Sequence, residues 1–198
     1  DISLSGSAAV SNSTAPLTST SGSVSVVSSG TTVSMSGAIS ASTSVTLRAN
    51  TELTTSAAIT SSTSRVSITS TTTSVSVGAS VAGTEIAVTP KTTYAGAGSL
   101  TASAGTVRIT GGTSVSPAGN IRATGDITLT GSGQVYLNGM SVISTAGGIS
   151  LTAGPVADHG VLVRASTVSA TGQRITLTGT STNGVGVYLY ETSRISNT

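Results

Sequence analysis

Residues 118–133 read AGNIRATGDITLTGSG, and their decisive feature is the pair Ile127 and Leu129 with Thr128 between them. Alternation with period two puts Ile127 and Leu129 on one face of a strand and Thr128 on the other. The same apolar-x-apolar pair recurs at Ile2/Leu4, Val24/Val26, Val45/Leu47, Val66/Ile68, Ile86/Val88, Val107/Ile109, Ile149/Leu151 and Ile175/Leu177. Successive first members lie 22, 21, 21, 20, 21, 20, 22 and 26 residues apart. Nine occurrences at nearly one spacing define an internal repeat, and such a period decides the architecture. The 26-residue interval holds an insertion.

Two further apolar positions follow each anchor pair. The first falls at Val33, Leu53, Val75, Val115 and Val135, the second at Leu17, Ile39, Ile59, Val81, Leu100, Ile121 and Val142. Each repeat therefore predicts three short strands, none able to bury a face alone. The residues between the anchors (Ser3, Ser25, Thr46, Ser67, Ala87, Arg108, Thr128, Ser150, Thr176) are mostly polar, as an outward column should be. Four residues past each anchor stand Gly6, Ser28, Ala49, Ser70, Pro90, Gly111, Gly131, Ala153 and Gly179, all small or turn-forming and suited to a corner. Ser, Thr and Gly are poor helix residues, and the strand-length alternation excludes helix. The expected fold is all-β: a right-handed parallel β-helix (β-solenoid) of about nine coils of 20–22 residues with three short strands each. At about 4.8 Å per coil the rod would stand roughly 40 Å tall.

Composition agrees with this and excludes much else. The 198 residues include 38 Ser and 37 Thr, but only 7% charged and 2% aromatic residues, against about 25% charged in ordinary globular domains. With no Phe or Trp, a conventional enzyme core is not expected, whereas narrow coils need only Val, Ile, Leu and Ala. A net charge of +2 without a basic cluster argues against nucleic acid. The 36% hydrophobic content argues against disorder. Cysteine is absent, so neither disulfides nor thiolate metal sites can form. No apolar run is long enough for a transmembrane helix, so no membrane insertion is expected. Starting at Asp1 without a signal peptide, the chain reads as a mature protein or an excised fragment. Residues 1–90 hold 25 of the serines and six glycines; residues 91–198 hold eighteen glycines. Because the period runs through this shift, residues 1–198 are read as one continuous solenoid, with Ser-rich coils at 1–90 and Gly-rich coils at 91–198. The alternative is two repeat subfamilies joined near Pro90–Tyr94. Irregularity is expected at Thr89–Gly98, Pro155–Gly160 and Val185–Tyr190.

Few groups could carry chemistry. Glu85 and Asp126 precede anchors two coils apart, a carboxylate spacing of roughly 9–10 Å that an inverting glycosidase could use. With Arg108 alone nearby, two solvated acids are the simpler reading. Asp158-His159 is the one acid–imidazole neighbour, in the inserted segment, where loops of repeat proteins often bind. Tyr188 and Tyr190 alternate with Val187 and Leu189 in the last coil and read either as an exposed anchor for a partner or as a cover for the rod. Asp158, His159, Tyr188 and Tyr190 are thus the candidate binding residues. No catalytic residue, metal site or cofactor is expected. Residues three past the anchors (Ser5, Val27, Arg48, Thr69, Thr89, Thr110, Thr130, Thr152, Thr178) add a second, mostly hydroxyl row beside the in-between column, the face being interrupted by Val27, Arg48, Ala87 and Arg108. Such paired Thr rows resemble the ice-binding face of solenoid antifreeze proteins, although strands also simply favour Thr. Asn12-Ser13-Thr14 has the form of a glycosylation sequon.

The stretch AGNIRATGDITLTGSG (118–133) and GGISLTAG (147–154) resemble filamentous haemagglutinin repeats of the form GG-x-I-x-A-x-G-x-I-x-L-x-A/G. The likeness is close over residues 105–180 and extends elsewhere as periodicity; the Ser-rich first half departs from the Gly-rich pattern. It implies a secreted, cell-surface exoprotein of a Gram-negative bacterium, exported by two-partner secretion. Such proteins serve as adhesins or as stalks of contact-dependent growth inhibition. The expected function is a non-enzymatic structural rod, a shaft segment with further β-solenoid at both ends and a host or neighbour-cell receptor as possible partner. Alternatives are a filament subunit stacking head to tail, and an ice- or glycan-binding solenoid. The first anchor lies at Ile2 and no capping segment follows Ile195, so the isolated chain is expected to associate end to end.

Overall fold

The computed structural model describes residues 1–198 as nine stacked coils with no helix. Each coil contributes one strand to each of three nine-stranded sheets, and every pairing between consecutive coils is parallel. Coil 7 is typical, with strands Ile127–Gly131, Gln134–Asn138 and Ser141–Ser144. More than half of the chain is strand. The sheets run without a break past residue 90: Glu85–Thr89 of coil 5 pairs with Val107–Gly111 of coil 6. No helix is long and apolar enough to cross a membrane.

The anchor pairs form one stacked column. Ile127 is fully buried between Val107 and Ile149, and Leu129 between Ile109 and Leu151. Seven of the nine pairs are buried in this way; Ile2/Leu4 and Ile175/Leu177 are only partly buried, each having a neighbouring coil on one side. With the second- and third-sheet positions they make a single core of 39 buried residues. Coils this narrow admit few large side chains, and the one aromatic ring inside is Tyr94, stacked between Val75 and Val115.

Of the small residues four past the anchors, Gly6, Ser28, Ala49, Ser70, Gly111 and Gly131 close the strand as its last residue, where two sheets meet and space is least; Pro90 lies just past its strand, and Ala153 and Gly179 lie inside longer ones. Ser28, Ala49 and Ser70 are almost wholly buried. The buried serines join the corner together. Ser28 Oγ donates to the carbonyl of Ala8 one coil back (2.6 Å) and accepts from the Thr31 N–H (3.1 Å). Ser70 repeats this with Thr51 and Thr73, and Ser144 repeats it at another corner with Gly125 and Gly147. One hydroxyl thereby satisfies two backbone groups that the turn would leave unpaired. Asn12, the sequon residue, does similar work: its Oδ1 accepts from the N–H groups of Ser36 (3.1 Å) and Gly37 (2.7 Å).

Candidate functional site: an aromatic ledge on the last coils

Two coils depart from the repeat. First-sheet strands elsewhere have five or six residues, but coil 8 has Ile149–Val156 (8 residues) and coil 9 has Ile175–Ser181 (7 residues). Past an irregularity at Ala153/Pro155, these strands keep pairing, with Pro155 opposite Thr180 and Val156 opposite Ser181. The first two residues of the expected irregular segment Pro155–Gly160 are therefore strand. Coil 9 carries a matching extension that the spacing of anchors could not reveal, because no later anchor follows it. The two extensions stack: Thr182 N–H donates to Val156 O (2.8 Å), and the Ser181 hydroxyl bonds both Asp158 O and Gly184 N–H.

This overhang brings His159 to the outward face of the second sheet. There Tyr136, Leu162 and Tyr188 stand in register in coils 7, 8 and 9, beside a second column of Asn138, Arg164 and Tyr190. The His159 and Tyr188 rings lie 4.7 Å apart, tilted by 45°. Tyr188 and Tyr190 are near-parallel and stacked, their ring centroids 5.2 Å apart. The Arg164 guanidinium carbon lies 5.5 Å from the Tyr190 centroid, and its Nε donates to Glu191 Oε1 at 2.8 Å. The Tyr136 hydroxyl first, then Glu191, hold the Arg164 charge more firmly than in a free guanidinium, raising its pKa. Asp158 is largely exposed, with Oδ1 3.4 Å from His159 Nδ1. That nitrogen faces two partners: unprotonated it accepts from Val185 N–H at 3.5 Å, and protonated it donates to Asp158.

The four residues singled out in the sequence therefore fall on one surface, as a continuous series from Asp158 through His159 and Tyr188 to Tyr190. Sequence reasoning missed Tyr136, Arg164 and Glu191, which only coil stacking brings there. The ledge holds three of the four tyrosines and the single histidine; the fourth tyrosine is in the core. Its corner is also unusual. The residue after the second-sheet strand is left-handed in these three coils: Gly139 (φ 64°), Ala165 (φ 45°) and Glu191 (φ 57°). Glycine takes that conformation freely, whereas Ala and Glu pay for it sterically. At Glu191 the strained turn carries the carboxylate onto Arg164.

The other candidates have backbone partners or flat surroundings. Asp126 Oδ1 accepts the Gly148 N–H (2.7 Å), as Asp1 Oδ1 accepts that of Ser23 (2.7 Å), while Glu85 receives the Thr106 hydroxyl at 3.5 Å. Each of these acids ties one coil to the next. A shallow notch of about 210 Å³ lies between Asp126 and Arg174, where Gly148 has no side chain. The Thr rows are in register through Thr110, Thr130, Thr152 and Thr178, with Arg108 interrupting the companion row of Thr128, Ser150 and Thr176. No three His, Asp or Glu side chains come together.

Fold and ledge together define a class: a three-sheet parallel β-solenoid repeat protein with an aromatic surface in its last coils. Comparison with protein-family models, with curated proteins and with solved structures finds no match for this chain.

Proposed function

We propose that the chain is a rigid, non-enzymatic spacer, a shaft segment of a secreted bacterial surface adhesin or contact-dependent stalk. The observation that carries this reading is the continuity of three nine-stranded parallel sheets around one core of 39 residues. Such a stack has fixed length and no hinge, because each coil is bonded along all three sides to its neighbours. Export to the surface of a Gram-negative cell rests on the likeness of residues 118–133 and 147–154 to haemagglutinin repeats.

Length and rigidity are directly measurable, and the cysteine-free chain makes added cysteines unique. Spin labels at Ser11→Cys and Asn138→Cys, outward on the second sheet six coils apart, should give one narrow distance distribution near 29 Å, about 4.8 Å per coil. Removing residues 45–65, one repeat, should shorten that distance by about one coil rise and leave unfolding cooperative. A broad distribution, or collapse of the fold on deleting the repeat, would overturn the spacer reading. Export is tested on intact cells, where the same cysteines, left unlabelled, should react with a membrane-impermeant maleimide.

A second reading, a filament subunit stacking coil on coil, is favoured by the outer coils. Val185 and Leu189 are 46% and 45% exposed, whereas Val163, below Leu189, is fully buried. Both readings have these edges met by more β-solenoid, of the same chain or of a neighbouring subunit. Sedimentation separates them: a filament subunit lengthens with concentration, and Leu189→Lys abolishes the lengthening.

A further inference from the structure

We propose that the ledge on coils 8 and 9 is a binding site for a neutral oligosaccharide a few sugar rings long. Everywhere else the outward positions are mostly Ser and Thr, so the gathering of Tyr188, Tyr190 and His159 is local and specific to the two extended coils. Tyr188 is 38% exposed and Leu162 beneath it is half-buried. Two features select the ligand class.

The first is area. Complete burial of a tyrosine covers about 150–250 Å², so the exposed parts of Tyr188 and Tyr190 offer on the order of 150 Å². A stable protein partner needs roughly 800 Å² on each side. The ledge suits a slender ligand. The second is charge and geometry. Arg164 and Glu191 neutralise each other, so no positive excess draws a polyanion or an acidic membrane. The guanidinium over the Tyr190 ring and the carboxylate bonded to it match the paired donors and acceptors of adjacent sugar hydroxyls. The exposed part of the Tyr188 ring offers the C–H groups of a pyranose an apolar surface. An apolar platform with a few fixed polar groups is the usual composition of a small-ligand site.

The chain contains no tryptophan, so its intrinsic fluorescence comes from tyrosine and reports on the ledge. The whole chain is titrated with cellotetraose, chitotetraose, maltotetraose and mannotetraose, with heparin as the polyanion. Saturable quenching by at least one neutral tetrasaccharide is expected, with matching heat by calorimetry. The Tyr188→Ala/Tyr190→Ala variant should bind at least tenfold more weakly. Glu191→Gly, which keeps the left-handed turn and removes the carboxylate, should weaken binding severalfold. Thr18→Ala, exposed on coil 1, should bind as the parent does. Circular dichroism of each variant reports retention of the strands. Absence of saturable binding across the four neutral sugars, binding by heparin alone, or equal binding by the folded double-tyrosine variant would overturn the proposal.

Discussion

Tyr94 is the residue whose chemistry fits its place least well. Its ring fills the second-sheet column between Val75 and Val115, and Gly96 on the same strand makes room for it: a Cβ there would lie 2.7 Å from the hydroxyl. The hydroxyl itself is buried without a hydrogen-bond partner. An unsatisfied buried polar group costs about 1–3 kcal/mol, so Tyr94→Phe should stabilise the protein by about 1 kcal/mol in urea unfolding. The same burial disfavours the phenolate and pushes the folded-state pKa well above the ordinary 10.0. Folding therefore holds the proton more tightly than the unfolded chain does. That contribution is complete below pH 10 and is lost as pH rises toward the folded value. The stability gap between Tyr94→Phe and the parent should widen between neutral pH and about pH 11. A constant gap would mean that the phenol ionises equally in both states. Tyr94 lies eight residues past Ile86, at the second apolar position of its repeat, so the period marks it as core. Its aromatic character disguised this, since the other coils use aliphatic residues there.

At the scale of the element, the corners decide what the repeats tolerate. The first-to-second-sheet corner needs a small inward residue, and serine there satisfies two backbone groups in addition. That is why the Ser-rich and Gly-rich halves can share one fold. The second-to-third-sheet corner of coils 7 to 9 is different, because it demands a left-handed residue that only coil 7 supplies as glycine. Ala165→Gly should therefore stabilise the chain by about 1 kcal/mol, read as a raised melting temperature. Destabilisation would mean that the flexibility of glycine outweighs the steric relief. The ledge belongs to this scale as well. The extended strands Ile149–Val156 and Ile175–Ser181 create it, and the 26-residue interval announces the first of them.

For the whole molecule, stability is close to a sum over neighbouring coils. A side chain gripped from both sides is worth more than one with a single neighbour. Leu47, fully buried in coil 3, and Leu4, partly buried in coil 1, occupy the same column with Val26 between them. Leu47→Ala should cost about 2–5 kcal/mol in urea unfolding. Leu4→Ala should cost about 1 kcal/mol or less, because coil 1 can fray without breaking the stack. Equal losses would show that the rod unfolds as one unit with no soft end.

The repeat, the number of coils, the three strands in each and the inward column were all legible in the sequence, because period-two alternation and a spacing of 20–22 residues, broken once by the 26-residue interval, admit one parallel stack. The candidate residues Asp158, His159, Tyr188 and Tyr190 were legible as rare side chains in irregular segments. Their joining into one surface was not, because it depends on which residues of successive coils stand in register. Arg164 and Glu191 lie 27 residues apart and meet only because Arg164 stacks beneath Tyr190 and a left-handed turn swings Glu191 back. Local alternation thus determines which way each side chain points. The stacking of coils decides which side chains meet.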